Sequence, residues 1–286
     1  MAVNVRIKQK SFFKKKLKIK KLIKMTGLDY GVMDDYFRLE RNKIGNPVII
    51  YDKRKLARGI EMVIDNKDVL LKLNFPATKE EIRHFYHTIE IICSYLKVKD
   101  YIRDEEQVCI EDSDMYIKMD EECSISSLEY LQECVETSNY NVMFGVYNPI
   151  SLGRKEMEKI QNNLESFSEF LHELQSVDAY YAVPEMYNVN DRLIGMYIIG
   201  PNIKSIVPLE HCVPKEPFVE LNNIKSVEEW YVLFGVEKAI KYTDFINNID
   251  ISEYYDAGHV IVTLSDIEIH TLLAKYLVDM DKIFIK

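Results

Sequence analysis

One segment of the chain carries three side chains that could bind a metal ion. Glu80, His84 and His87 stand at i, i+4 and i+7, so on a helix they lie along one side, opposite an apolar stripe. Two imidazoles and a carboxylate are ordinary zinc ligands, and the spacing predicts, as one alternative, a metal-dependent enzyme. The competing interpretation is a solvated helix face, because one helix alone lacks the further ligand or supporting shell that fixes a metal. We favour the solvated face.

A second candidate site is the basic start of the chain. Residues 1–24 contain ten Lys or Arg and no acid, and Lys14, Lys15 and Lys16 directly follow two phenylalanines. Clustered lysines bind phosphates and aromatic rings stack on bases, so the segment predicts a weak nucleic-acid binder as a third possibility. Lysines on an edge strand also guard against aggregation, and the net charge of −9 would repel a long polyanion. The charge balance therefore argues against nucleic acid.

Two tyrosine pairs and one arginine are candidates for recognition of another molecule. Tyr180 and Tyr254 each begin a Tyr-Tyr pair, and tyrosine-rich surfaces suit protein recognition because the ring buries a large area at little entropic cost. Arg58 precedes Gly59, where a guanidinium could meet a carboxylate or a phosphate at a strand edge. A structural ion pair is the interpretation we favour for Arg58. The tyrosines point towards protein binding.

Signatures of several common enzyme classes are absent from the sequence. None of the ten glycines stands two positions from another, so neither GxGxxG nor GxxxxGK[ST] occurs, and GxSxG and HExxH are missing as well. We therefore predict no cofactor, and a protein that is not an enzyme is favoured over an enzyme.

The elements that would position these side chains can be predicted in part. Thr78 and Glu81 form a capping box at the start of a helix that carries Glu80, His84 and His87. Its apolar stripe comprises Ile82, Phe85, Tyr86, Ile89, Ile92, Cys93 and Leu96. Strands are predicted at 2–8, 15–20, 47–51, 58–64, 69–74, 141–147, 179–183, 193–199, 228–236 and 259–264. Further helices are predicted at 20–26, 126–137, 153–175 and after Ser265.

These elements predict an α+β fold with mostly antiparallel sheets and long amphipathic helices on one face, with two lobes as one arrangement. An N-terminal lobe would span 1–100 and a C-terminal lobe 141–286. Residues 101–140 would form an acidic connecting segment with a helix, because 100–125 is poorly periodic. A single continuous domain is the alternative.

Composition indicates a globular protein with an intracellular address. The 286 residues are 47% hydrophobic, and no 18 apolar residues run together, so no membrane span is predicted. The five cysteines are odd in number and form no CxxC pair, and the N-terminus has no secretory apolar region. We expect a reducing cytoplasm.

Four short patches of the sequence carry a family resemblance. They are Leu28, Asp29, Tyr30, Gly31 and Asp34; Tyr51, Asp52, Arg58, Gly59 and Ile60; the Pro76–Tyr86 helix start; and Phe144, Gly145, Asn148, Pro149 and Ile150. The chain resembles a family of uncharacterised bacterial proteins, mainly of Firmicutes, known only as a domain of unknown function. The resemblance implies a bacterial cytoplasmic protein without an assigned activity and gives no catalytic residues.

The function favoured by the sequence is a non-enzymatic cytosolic module that binds another protein. The metal-dependent enzyme is the alternative, and the nucleic-acid binder comes third. Partner identity, oligomeric state and the place of any pocket stay open at this point.

Overall fold

The computed structural model describes residues 1–9, 17–189, 192–210, 227, 229–235, 238–251 and 253–284. The chain divides into two compact units, Met1–Ser176 and Val177–Lys286. The division therefore falls after residue 176, and the stretch predicted to connect two lobes lies wholly inside the first unit. Its residues are tied to earlier ones by hydrogen bonds such as that from the Ala77 amide to the Ser124 hydroxyl, at 3.1 Å.

The first unit is built on an eight-stranded sheet. The spatial order of its strands is β3-β2-β4-β5-β6-β1-β7-β8, and every neighbouring pair is antiparallel. The strands are β1 (Ala2–Ile7), β2 (Asp29–Met33), β3 (Leu39–Arg41), β4 (Val48–Tyr51), β5 (Ile60–Asp65), β6 (Asp68–Asn74), β7 (Asp100–Arg103) and β8 (Glu106–Cys109). The N-terminal strand thus pairs with β6 and β7.

The helices of the first unit are α1 (Ile19–Thr26), α2 (Lys79–Leu96), α3 (Ser113–Thr137), α4 (Arg154–Ile160) and α5 (Leu164–Gln175), and a hairpin of β9 (Asn141–Phe144) and β10 (Pro149–Leu152) follows α3. Helices α1, α2 and α3 pack on one face of the eight-stranded sheet, and α4 and α5 share a second core with α3 and the hairpin. Val5 and Leu71 of the sheet share one buried core with Phe85 and Ile89 of α2. Alternate residues of β1 and β6 therefore point to α2, and the residues between them point the other way.

The second unit contains two four-stranded sheets among its described residues, in the orders β11-β14-β18-β17 and β12-β13-β15-β16. Their strands are β11 (Tyr180–Tyr181), β12 (Pro184–Val189), β13 (Arg192–Ile198), β14 (Ser205–Pro208), β15 (Glu229–Leu233), β16 (Ala239–Lys241), β17 (Glu253–Asp256) and β18 (His259–Val262). Two pairs, β11 with β14 and β13 with β15, are parallel and the others are antiparallel. The helices are α6 (Tyr242–Ile246), α7 (Asp266–Tyr276) and α8 (Met280–Phe284).

The predicted fold class is confirmed, and so are several element ends. The chain is α+β with mostly antiparallel pairing. Helix α1 ends at Gly27 in the left-handed conformation, and α2 begins with the predicted capping box of Thr78 and Glu81. Helix α7 begins with a second one, at Ser265 and Glu268. Within the described residues, no helix is long and apolar enough to cross a membrane.

Three element predictions were wrong. The stretch 100–125 contains strands β7 and β8 and then the first half of α3, a single helix of 25 residues. The predicted helix over 153–175 is divided into α4 and α5, because Gln161 and Asn162 take positive φ values of 51° and 50°. The predicted strand over 15–20 fails at Ile19, which begins α1, and its residues 15 and 16 lie outside the described residues.

Candidate functional site

A groove of about 620 Å³ lies on the face of the eight-stranded sheet that points away from α2. It forms where β5, β6, β1 and β7 lie side by side, so parts of the chain a hundred residues apart in sequence meet there. Its lining side chains are Asn4, Arg6, Lys8, Glu61, Val63, Leu70, Lys72, Ile102, Asp104 and Glu105.

A row of three apolar side chains and one arginine crosses the floor of the groove. Val63 is paired with Leu70, Leu70 with Arg6, and Arg6 with Ile102, so the four side chains form one line across four strands. Val63, Leu70 and Ile102 are only partly buried, whereas Val5 and Leu71, which point to the opposite face, are fully buried. Partly exposed aliphatic side chains in a row on a solvent-facing sheet surface are available for contact with another molecule.

Charges of both signs surround this row. Arg6 is held within the protein: its Nη2 lies 2.5 Å from Asp65 Oδ2, and its Nε lies 3.5 Å from Asp68 Oδ2. In the part of the chain that the structure describes, Lys8, Lys72, Glu61 and Glu105 have no ion pair within 4.0 Å. The rim of the groove thus offers two ammonium groups and two carboxylates to a ligand.

The three predicted metal ligands have separate partners. Glu80 accepts a hydrogen bond from Ser168 Oγ at 3.3 Å, His84 Nε2 lies 3.9 Å from Asp52 Oδ2, and His87 Nδ1 lies 3.6 Å from Glu90 Oε2. Among the residues described, no group of three His, Cys, Asp or Glu could hold a metal ion. The structure does not bring Glu80, His84 and His87 together, because His84 turns towards Asp52 while His87 stays largely in solvent.

The half-buried His84 gives a prediction for the pH dependence of stability. Burial lowers the pKa of His84, and although Asp52 opposes this, the folded value lies below the unfolded value of about 6.5. As the pH falls, the unfolded chain therefore binds the proton at a higher pH than the folded chain does. The stability that neutral His84 contributes is present above pH about 6.5 and is lost as the pH falls through the folded pKa. We expect urea unfolding at pH 8 and at pH 5 to show that wild type loses more stability on acidification than His84→Gln does. A difference that is independent of pH would contradict this account.

Arg58 does not present its guanidinium to a ligand. Its Nε donates to the Phe144 carbonyl and its Nη1 to the Pro76 carbonyl, both at 3.1 Å, and burial lowers the pKa of Arg58 to about 10. The carboxylate nearby is Glu81, and it accepts hydrogen bonds from the backbone amides of Arg58 and Gly59, each at 2.6 Å. Arg58 and Glu81 thus fix the turn before β5.

The two tyrosines singled out in the sequence lie apart. Tyr180 is 40% exposed on β11 and Tyr254 is 44% exposed on β17, and these are the two edge strands of one sheet. Three strand spacings of about 4.8 Å separate them. The lysine cluster of Lys14, Lys15 and Lys16 lies outside the described residues.

A series of three hydrogen-bonded side chains in the second unit was not predicted from the sequence. His259 Nδ1 lies 2.8 Å from Asp256 Oδ1, and His259 Nε2 lies 2.9 Å from the Tyr181 hydroxyl. Asp256 is fully buried and also accepts a hydrogen bond from the Gly258 amide at 2.9 Å. These hydrogen bonds among Tyr181, His259 and Asp256 therefore close the β17–β18 turn and link it to β11. The Asp-Ala-Gly-His run is the only local signal for them.

A buried polar cluster joins α3 to α2 and β7. Asp120 accepts hydrogen bonds from the Tyr86 hydroxyl at 2.6 Å and from Arg103 Nη2 at 2.5 Å. Burial raises the pKa of the Asp120 carboxyl, while Tyr86 and Arg103 act in the opposite direction. Since Asp120 is fully buried, the cluster positions α3 and is closed to ligands.

The fold and the groove define an α+β protein whose eight-stranded antiparallel sheet is covered by helices on one face and has a ligand-sized groove on the other. The chain belongs to the family described as a domain of unknown function, DUF4299, whose family model matches residues 2–272. The resemblance to an uncharacterised family is thereby confirmed over nearly the whole length. No curated protein matches the chain, and no solved structure does.

Proposed function

We propose that this chain is a non-enzymatic protein-binding module and that its groove holds an extended segment of another protein. The observation that carries the proposal is the partly exposed apolar row of Val63, Leu70 and Ile102 on the floor of the groove. A patch of this kind with a polar rim is typical of interaction sites on otherwise polar surfaces.

The size and polarity of the groove fit an extended polypeptide. Four strands at about 4.8 Å spacing give a floor about 14 Å wide, and alternate side chains of an extended segment would point down to it. The apolar ones would contact Val63, Leu70 and Ile102, and charged neighbours would meet Lys8, Lys72 and Glu61.

We also propose that the protein works in a bacterial cytoplasm. Cys93, Cys109, Cys123 and Cys134 carry free thiols, as a reducing compartment requires. These free thiols support an intracellular address.

The test places a charge on the floor of the groove. Leu70→Asp leaves the backbone pairing of β6 intact but presents a carboxylate to the apolar part of the ligand, where desolvating it costs several kcal/mol. A photo-crosslinking amino acid at position 102 of the full chain should capture a partner in cells. We expect Leu70→Asp to reduce that capture at least tenfold, which corresponds to about 1.4 kcal/mol.

The matched control is Val142→Asp, the same change at an exposed strand residue of the first unit outside the groove. This variant should capture the partner as wild type does, and the urea midpoints of both variants should confirm that they are folded. Undiminished capture by Leu70→Asp, or equal crosslinking from position 142, would overturn the proposal.

A further inference from the structure

We propose that the outer face of α3 is a second interaction surface, distinct from the groove, which binds a basic amphipathic helix of a partner protein. The outer face of α3 comprises Met115, Met119, Glu122, Glu129, Tyr130 and Glu133. These residues stand at relative positions 0, 4, 7, 14, 15 and 18, so at 3.6 residues per turn they follow one side of the helix.

The outer side of α3 carries exposed apolar residues: Met115 is 57% exposed and Tyr130 is 66% exposed. A surface helix normally turns its apolar residues to the core and its polar residues to water. The inner side of α3 is mixed, because the polar residues Ser113, Asp120 and Ser124 are buried there together with Leu128 and Val135. Exposed apolar side chains on a helix that also buries three polar residues indicate a contact that the chain alone does not provide.

The charges on the outer face are all acidic and unpaired. In the part of the chain that the structure describes, Glu122, Glu129 and Glu133 have no ion pair within 4.0 Å, although Asp52 and Asp65 elsewhere in the first unit pair with Arg54 and Arg6. The stretch from Asp104 to Glu136 contains twelve acidic residues and one lysine. A surface of one sign attracts a partner of the other and accelerates its association.

The occupant that fits these features is a helix with apolar residues on one side and Lys or Arg beside them. The 25 residues of α3 extend about 37 Å, long enough for several turns of a second helix. Methionine side chains adapt their shape to a partner, and a large aromatic ring such as that of Tyr130 can anchor the contact. The basic residues of the partner would pair with Glu122, Glu129 and Glu133.

The test uses the full chain and synthetic peptides as probes. A 21-residue Leu/Lys peptide with the repeat LKKLLKL is compared with oligolysine of equal length by fluorescence anisotropy. We expect the amphipathic peptide to bind at least tenfold more tightly than oligolysine. Its affinity should fall with salt, since ion pairs at the surface are screened.

Two variants separate the parts of this surface. The triple change Glu122→Gln, Glu129→Gln and Glu133→Gln should weaken peptide binding at least tenfold, and Met115→Ser with Tyr130→Ser should do the same. The charge-matched control is Glu106→Gln, Glu158→Gln and Glu173→Gln, three exposed acids outside α3, and it should change the affinity less than twofold.

Equal weakening by the control triple would overturn the proposal, because it would mean attraction by net charge alone. The proposal would also fail if the Met115 and Tyr130 changes had no effect, or if the amphipathic peptide did not bind. Leu70→Asp should leave peptide binding unchanged. If it abolishes peptide binding instead, the peptide occupies the groove and α3 has no surface of its own. Failure of the groove proposal, by contrast, would leave the α3 result intact.

Discussion

Replacing Asp120 by Ala is expected to lower the free energy of unfolding by about 3–5 kcal/mol, because it removes one partner of a buried ion pair. Arg103 would keep its charge in a site that is only 11% exposed, and the Tyr86 hydroxyl would lose its acceptor. Urea unfolding followed by circular dichroism measures the change. The more conservative Asp120→Asn keeps the shape of the side chain and serves if the alanine variant does not fold.

The matched control for Asp120→Ala is Glu129→Ala, which removes an exposed carboxylate from the same helix and should change stability by less than about 0.5 kcal/mol. A double-mutant cycle adds a second criterion. Tyr86→Phe should be costly in wild type and much less so beside Asp120→Ala, since the two residues share one hydrogen bond. A loss below about 1 kcal/mol for Asp120→Ala, or additive effects in the cycle, would show that the cluster does not hold α3 in place.

The same residue explains why the first half of α3 was not predicted as a helix. Sequence patterns identify a helix by an apolar stripe at helical spacing, and α2 has such a stripe from Ile82 onwards. In the first half of α3 the inner positions include Ser113, Asp120 and Ser124. Ser113 donates to the Ile110 carbonyl, Asp120 accepts from Tyr86 and Arg103, and Ser124 accepts from the Ala77 amide. Polar pairing over long sequence distances leaves no periodic signal, so the segment looked irregular.

The groove could not be located from the sequence for a related reason. The alternation of Val3, Val5 and Ile7 correctly predicted a half-buried strand, but alternation does not say which strands lie beside it. Pairing with β6 and β7 places Arg6 next to Leu70 and Ile102, and that register is a property of the whole sheet. Three of the four strands of the groove were therefore predictable, whereas β7 and the site formed between the four were not.

Glu81 shows how local and long-range roles combine in one side chain. The capping box with Thr78 was visible in the sequence, and the structure contains it. The same carboxylate also accepts from the amides of Arg58 and Gly59, more than twenty residues earlier, which no local pattern encodes. The Arg58-Gly59 pair does have a structural role, as the sequence indicated. The Arg58 guanidinium, however, donates to backbone carbonyls, and the Glu81 carboxylate accepts from backbone amides.

Replacing Glu81 by Ala is expected to cost about 3–5 kcal/mol of unfolding free energy. The change leaves the amides of Thr78, Arg58 and Gly59 without their acceptor, and an unsatisfied buried donor costs about 1–3 kcal/mol. It also removes the carboxylate that faces Arg58. Urea unfolding measures the loss, and amide hydrogen exchange at residues 58 and 59 should accelerate with it, because those two amides become unprotected.

Two further variants separate the cap of α2 from the turn before β5. Thr78→Ala removes only the capping hydroxyl and should cost about 1 kcal/mol, and Glu90→Ala, an exposed acid on the same helix, should cost less than about 0.5 kcal/mol. If Glu81→Ala were no more destabilising than Thr78→Ala, the bonds to Arg58 and Gly59 would contribute nothing. A clear excess over Thr78→Ala, with faster exchange at residues 58 and 59, would establish that Glu81 ties α2 to the strand that forms one wall of the groove.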